Sequence, residues 1–337
     1  MNLTRLNQIL NQFSSKRILI VGDLMLDEFV WGRVSRISPE APVPVVEVLR
    51  ESYYPGGAAN VARNVRECGT EASVIGLVGD DDAGVRLRRI LEETGIHHES
   101  VQIAPKFQTI VKTRIIARQQ QVVRVDRERI WELNREIEDA CIASIEGLLP
   151  RIDAIILEDY GKGLLQQSLI DRIAPLGAGK IITADPNPRN RLQWRGLTAV
   201  KPNRSEAFSA LGEPWKEPAE HPAKDAALLA IGAKLLETWA PRQLLVTLGD
   251  QGMMLFTPDS DPYHIPSRAR EVYDLSGAGD TAIAFYTLAL LSGATAVEAA
   301  EISNYASGVV VAKFGTATVT LEELRESFSS HNHHGAC

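Results

Sequence analysis

The chain has 337 residues, 45% of them apolar, which allows one large α/β domain or two smaller ones; its formal net charge of −7 argues against a surface for nucleic acid or an anionic membrane. No apolar run reaches transmembrane length, and residues 1–17 read as an amphipathic helix without a signal-peptide core. Cys68, Cys141 and Cys337 have no metal or redox spacing, so a reducing, cytoplasmic setting is expected.

Residues 17–23 (RILIVGD) form a continuous apolar run, the pattern of a strand buried on both faces. It leaves Asp23 and Asp27 at the strand's carboxyl end, where open α/β sheets bind ligands. Residues 28–54 mix apolar positions with Pro39, Pro42 and Pro44, and the pattern predicts two short strands off the main sheet, a flap in preference to a mobile loop. Gly56-Gly57-Ala58-Ala59-Asn60 opens a helix that runs to Cys68-Gly69. Glycines there let the backbone touch a small polar ligand, and Asn60 can both donate and accept, although glycines before a helix are common without any ligand. A strand over 72–78 and a helix with Ala83, Leu87, Ile90 and Leu91 on one face follow, stopped by Gly95. Residues 109–118 alternate, which puts Lys112 and Arg114 on one face, and 121–126 can return as a hairpin partner. Two cations at i and i+2 beside a flap suit an anionic substrate such as a sugar phosphate; the competing reading is an edge strand guarded by charge.

A helix over 134–149 precedes strands at 154–157, 181–184 and 197–200. Each strand ends in a polar cluster: Glu158-Asp159-Tyr160-Gly161-Lys162-Gly163, Asp185-Pro186-Asn187, and Lys201-Pro202-Asn203-Arg204-Ser205-Glu206. Clusters at the carboxyl ends of successive strands should gather along one sheet edge. Glu206, one helical turn after Asn203, can order magnesium through water or simply complement a helix dipole. Residues 213–224, rich in Pro, Glu and Lys, read as a surface excursion. A strand at 244–246 leads into Thr247-Leu248-Gly249-Asp250-Gln251-Gly252, whose glycines either approach a nucleotide or turn a hairpin into 253–256. The run 274–281 (DLSGAGDT) then meets the apolar stretch 281–291, a buried helix ended by Ser292-Gly293. Gly277, Ala278 and Gly279 let a phosphate approach the unpaired N–H groups and positive dipole end of that helix. Asp280 would repel a phosphate, so it makes sense as a base for a hydroxyl beside one, or else as an acid stabilised by the dipole. A last helix over 296–311 carries Asn304 and Ser307, and the tail bears His331, His333 and His334, read as an untethered terminus. The chain has no GxxxxGK[ST], GxGxxG or HExxH, and strand and helix alternate from end to end.

GGAAN at 56–60, DYGKG at 159–163, KPNRSE at 201–206, VTLGDQG at 246–252 and DLSGAGDT at 274–281 occur in the order seen in the ribokinase-like (phosphofructokinase-B) sugar kinases, which the chain resembles over nearly its whole length. Residues 22–48 and 112–128 are similar to the kinase half of the bacterial heptose-phosphate kinase/adenylyltransferases of lipopolysaccharide synthesis. The resemblance implies an α/β fold: a doubly wound, mainly parallel sheet flanked by helices, with a small β-strand lid from 28–54 and 108–126, in one domain over 1–330 followed by a tail at 331–337. It implies transfer of the ATP γ-phosphoryl group to O1 of D-glycero-D-manno-heptose 7-phosphate, giving the 1,7-bisphosphate for ADP-heptose synthesis. By resemblance Asp280 is the base and the backbone of Gly277, Ala278 and Gly279 the anion hole. Asp23, Asp27, Gly56, Gly57, Asn60, Asp159 and Lys162 would hold the sugar, and Lys112 and Arg114 its phosphate. Asn203, Arg204, Ser205, Glu206, Thr247, Gly249, Gly252 and Asn304 would serve ATP and Mg2+, with Glu206 reaching the metal through water and Asp274 bordering a site for K+. A homodimer through the lid is implied.

Two departures from that pattern stand out. The chain ends soon after the kinase half, so a separate enzyme is expected to transfer the adenylyl group. Relatives usually carry Ser where this chain has Glu158, which leaves open a kinase of another sugar or sugar phosphate. A catalytically silent sugar- or nucleotide-binding regulator on the same fold would not need Asp280.

Overall fold

The computed structural model describes residues 1–117, 120–269 and 271–332, the side chains of residues 331 and 332 excepted. The side chains of the tail histidines His331, His333 and His334 therefore lie outside the described residues. The chain opens with α1 (Leu3–Leu10), β1 (Arg17–Gly22), the long pair β2 (Leu24–Ile37) and β3 (Pro44–Gly57), α2 (Ala58–Glu67), β4 (Glu71–Ile75), β5 (Leu77–Gly79), α3 (Asp82–Glu93), β6 (Gln102–Ala104), β7 (Ile110–Ala117) and β8 (Gln120–Arg127). It continues through α4 (Arg135–Leu148), β9 (Ala154–Glu158), α5 (Gln167–Leu176), β10 (Ile181–Asp185), β11 (Ala199–Val200), α6 (Arg204–Ala210), α7 (Ala226–Trp239), β12 (Gln243–Thr247), β13 (Met253–Thr257), β14 (Ser260–Ile265), α8 (Ala278–Leu291), α9 (Ala296–Val310) and α10 (Leu321–Asn332).

The main sheet has the order β14-β13-β12-β11-β10-β9-β1-β4, parallel from β4 to β12 and antiparallel at β13 and β14. This is the mainly parallel, helix-flanked sheet that the alternation implied. The apolar run of β1 has a direct cause: Ile18 and Ile20 enter the core on one sheet face, Leu19 and Val21 the core on the other. The strand predicted over 72–78 is in fact two, because β4 stays beside β1 while β5 leaves to pair with β6. Such a run is apolar in either sheet, so its composition does not reveal the break.

Helix α8 is buried at every position from Asp280 to Ala289. A helix enclosed on all sides reads as apolar all round, as this one does. Burial of each large apolar side chain contributes about 1.5–3 kcal/mol, so fully buried Ile283, Phe285 and Leu288 fix the helix whose first turn carries Asp280.

A second sheet of order β3-β2-β7-β8 stands off the first where the flap was expected, but β2 and β3 are 14 residues long each where two short strands were predicted. Its strands β2 and β7 run parallel, which brings Asp27 opposite Lys112 and Phe29 opposite Arg114. Phe29 faces inward, 1% exposed, with its ring 6.1 Å from Trp31 and 5.6 Å from Tyr54, and Trp31 lies 5.6 Å from Phe314. The exposed large apolar side chains of this sheet include Ile37, Val48, Leu49, Val122, Val123 and Val125. Among the described residues no helix is long and apolar enough to cross a membrane.

Candidate active site

The carboxyl edge of the parallel strands collects the polar clusters, and α8 points its N-terminus at them. Gly277 caps the helix with φ of 78°, a left-handed turn that a side chain would strain; a Cβ there would also lie 2.8 Å from Asn60 Nδ2. Asp280 sits in the first turn, 5% exposed. Its Oδ2 accepts from Asn60 Nδ2 at 2.6 Å and its Oδ1 from the Tyr160 hydroxyl at 2.7 Å. Burial raises the Asp280 pKa, and the hydrogen bonds from Asn60 and Tyr160 oppose that rise. Asn60 is itself held from behind: Asn64 Nδ2 donates to its carbonyl at 3.0 Å, and Thr281 donates to Asn64 Oδ1 at 3.0 Å.

Beside the helix start lies a buried charge cluster. Lys201 Nζ pairs with Asp185 Oδ2 at 2.8 Å, and a Cβ on Gly279 would be 3.6 Å from that Nζ. Burial raises Asp185 to about 7 against the pull of Lys201. Glu158 sits between Gly22 and Asp185 in the sheet register, 1% exposed, with Oε2 unpartnered. Burial and then the charges of Asp185 and Asp280 push its pKa well up. Lys201 and Asp185 were quoted in the sequence motifs without a role. A lysine and an acid closing adjacent strands were the available signal.

A cleft of about 630 Å³ leads away from the helix start. Thr247, Gly249, Gly252 and Asn304 line it as expected, and its inner end is Ala278 and Gly279. Gly249 and Gly252 also turn the β12–β13 hairpin, which was one of the two readings of that loop. Val272, Leu275 and Ser307 also line the cleft; Ser307 was noted in the sequence without a role, Leu275 lies in the DLSGAGDT run without having been given one, and Val272 comes from a stretch whose pattern did not mark it.

On the lid side, Arg114 is ion-paired with Asp27, and a Cβ on Gly56 would lie 2.5 Å from Asp27 Oδ2, so only glycine lets the backbone pass that close. Lys112 Nζ lies 5.4 Å from the centre of the Tyr160 ring, with the charges of Glu128 and Asp27 acting on it from a distance. Burial lowers the Lys112 pKa. Gly57 caps α2 and Asn60 follows in its first turn, so GGAAN delivers a polar side chain to Asp280.

Several expected ligands are committed elsewhere. Asp23 accepts the N–H groups of Tyr160, Lys162 and Leu164, at 3.0, 3.0 and 3.3 Å, and so shapes the DYGKG loop. Asp159 gathers Gly161 N–H and Asn190 Nδ2 in the same loop; burial and Asp23 push it to about 7. Lys162 is buried and paired with Glu128 at 2.6 Å. Arg204 turns away from the cleft: it pairs with Asp225 at 2.8 Å, donates to Lys216 O at 3.2 Å and lies over Phe208 and Trp215. Asn203 and Glu206 form a capping box on α6, and Ser205 is exposed there. None of Asn203, Arg204, Ser205 and Glu206 lines the cleft. Both Asp274 oxygens accept backbone N–H groups, from Ser276 at 2.9 Å and Gly315 at 3.0 Å, so its carboxylate closes a loop and is not a free cation ligand. Asp23, Asp159 and Asp274 thus serve loop amides, where satisfying backbone N–H groups competes with binding. Among the described residues no group of three or more His, Cys, Asp and Glu side chains is arranged to hold a metal ion.

A helix start with an acid in its first turn, at the inner end of an apolar cleft, is the arrangement of a phosphotransferase acting on a hydroxyl group. A family model described as pfkB family carbohydrate kinase matches residues 15–324, and the chain belongs to that family. It is 42% identical over 315 residues to the bifunctional protein HldE of Desulfatibacillum aliphaticivorans, covering 93% of this chain and 63% of that protein. The bifunctional protein HldE of Caulobacter vibrioides is 42% identical over 323 residues, covering 94% of this chain and 64% of its own length. The chain thus spans less than two thirds of the length of these curated relatives. The solved structure of Arabidopsis thaliana ribokinase complexed with ribose and ATP shares the fold, with a TM-score of 0.69 at 18% identity over 93% of this chain and 98% of that one.

Proposed function

We propose that this chain transfers the γ-phosphoryl group of ATP to O1 of a heptose 7-phosphate, as one domain over residues 1–330 with the second sheet as its lid. The observation that carries the reading is the shared backbone at Ala278 and Gly279, which ends the apolar cleft and begins the helix that bears Asp280. ATP would lie along the cleft with its γ-phosphate at the first-turn N–H groups of α8. Asp280 would take the proton from the acceptor hydroxyl as its oxygen attacks phosphorus, and the helix N-terminus and Lys201 would offset the charge on the transferring group. Lys112, with Arg114 beside it, would take the remote phosphate of the sugar.

A carboxylate that meets a metal only through water suits Mg2+, which keeps several waters and takes one or two carboxylates plus phosphates. Glu206, whose charge acts on buried Asp185, fits that part. The metal would supply charge neutralisation across the phosphates. A site for K+ would be formed by carbonyl groups of the loop that Asp274 closes. The test is a coupled ATPase screen across phosphorylated and free sugars. Heptose 7-phosphate should give the highest kcat/KM, and preference for a free sugar would overturn the assignment.

The pH profile follows from the raised Asp280 pKa. A base must be deprotonated, and a carboxyl with raised pKa keeps its proton to higher pH, so turnover should fall as the pH drops through a range above the ~3.9 of a free Asp. An acid limb at or below that value would contradict a buried base.

The lid also supports a homodimer. Val48 on β3 and Val123 and Val125 on β8, at 52%, 46% and 45% exposure, leave apolar side chains open on both edge strands of the second sheet, and exposed apolar surface is what an interface covers. Light scattering at micromolar concentration should report twice the chain mass, and Val123→Glu should return it to monomer. A wild-type monomer with full activity would count against the dimer.

A further inference from the structure

Tyr160 has no part in the reaction as described, yet its hydroxyl touches the base. The two oxygens of Asp280 are held separately, one by Asn60 and the other by Tyr160 at 2.7 Å. The tyrosine is fixed independently of that bond: its N–H donates to Asp23 Oδ2 at 3.0 Å, and Lys112 Nζ stands 5.4 Å from the centre of its ring. Burial and then the Asp280 charge hold the phenol well above its ordinary pKa, so at neutral pH it can only donate to a carboxylate. The groups facing Asp280 come from six places: Asp27 on β2, Asn60 on α2, Glu158 ending β9, Tyr160 after it, Asp185 ending β10 and Lys201 after β11. Asn60, Tyr160 and Lys201 favour the anion, while burial and Asp27 disfavour it.

We infer that Tyr160 is the positioning residue of the base: its hydroxyl pins one carboxylate oxygen of Asp280, so that the carboxylate is presented to the acceptor hydroxyl in a single orientation and its anionic form is stabilised inside a buried site. A donor–carboxylate bond of this length is charge-assisted, and a rigid donor costs no reorganisation when the proton moves. The inference rests on Asp280 being the base.

The experiment compares wild type, Tyr160→Phe, 3-fluorotyrosine at position 160 and Asp280→Asn, each as the full chain, by kcat, KM for ATP and the pH profile of kcat/KM. Tyr160→Phe removes the hydroxyl alone and should lower kcat by about 10-fold, leave KM for ATP unchanged and move the acid limb to higher pH. The fluorinated phenol is a stronger donor of the same shape and should move that limb to lower pH; it also carries the test if the Phe variant does not fold. A purely structural tyrosine would change the melting temperature or kcat and leave both limbs at the wild-type position, which would overturn the inference. Asp280→Asn separates the two ideas. If it abolishes turnover while the Tyr160 limbs stay still, the positioning role fails and the base stands; if it retains turnover, the base assignment itself fails.

Discussion

Asp280→Asn should retain ATP binding and lose turnover by about 10²–10⁴-fold, the range typical of general-base catalysis. The amide keeps the shape but only one acceptor oxygen, where Asn60 and Tyr160 now each hold one carboxylate oxygen at 2.6 and 2.7 Å. What it removes is the ability to take a proton. Because α8 is buried from Asp280 to Ala289, the substitution leaves the helix packed, and the anion hole at 277–279 with it. Single-turnover measurements with saturating ATP and sugar phosphate test this directly. Turnover within a factor of a few of wild type would show that the acid only complements the helix dipole.

The second large effect concerns the lid cations, and the structure separates two residues that alternate on one strand. Lys112 feels Glu128 and Asp27 only at a distance, while Arg114 is already ion-paired with Asp27. Lys112→Ala should therefore cost about 10- to 100-fold in kcat/KM on a phosphorylated sugar, the value of one charge-assisted hydrogen bond, and little on the dephosphorylated form. The loss should appear in KM more than kcat, because a phosphate remote from the reacting hydroxyl is bound alike in ground and transition states. Arg114→Ala is expected to weaken both substrates, since it also leaves the buried Asp27 carboxylate unpaired beside Gly56. Unchanged kinetics for both variants would reduce the pair to charges that guard a strand edge.

Composition and period were enough for the elements and for the edge at which they meet. A parallel strand buried on both faces must be apolar throughout, a fully enclosed helix must be apolar all round, and ligands collect where parallel strands end; these rules placed 17–23, 281–291 and the polar clusters before any coordinate was needed. They also marked Asp280, because a charge at an anion-binding helix start has few uses. The partner of each polar side chain was beyond such reasoning. Asp23, Asp159 and Asp274 belong to motifs at the site, yet each spends its oxygens on buried loop amides. Arg204 sits between Asn203 and Ser205 in sequence but folds back onto Asp225, 21 positions later. Tyr160 reaches Asp280 across 120 positions, and Lys201 finds Asp185 on the neighbouring strand. A helical or strand period says which face a residue occupies; which unpaired donor or acceptor waits on that face depends on chain brought together by the tertiary fold. The break of 72–78 into β4 and β5 has the same cause, since pairing with β1 or with β6 is decided by the partner strands and not by the run itself.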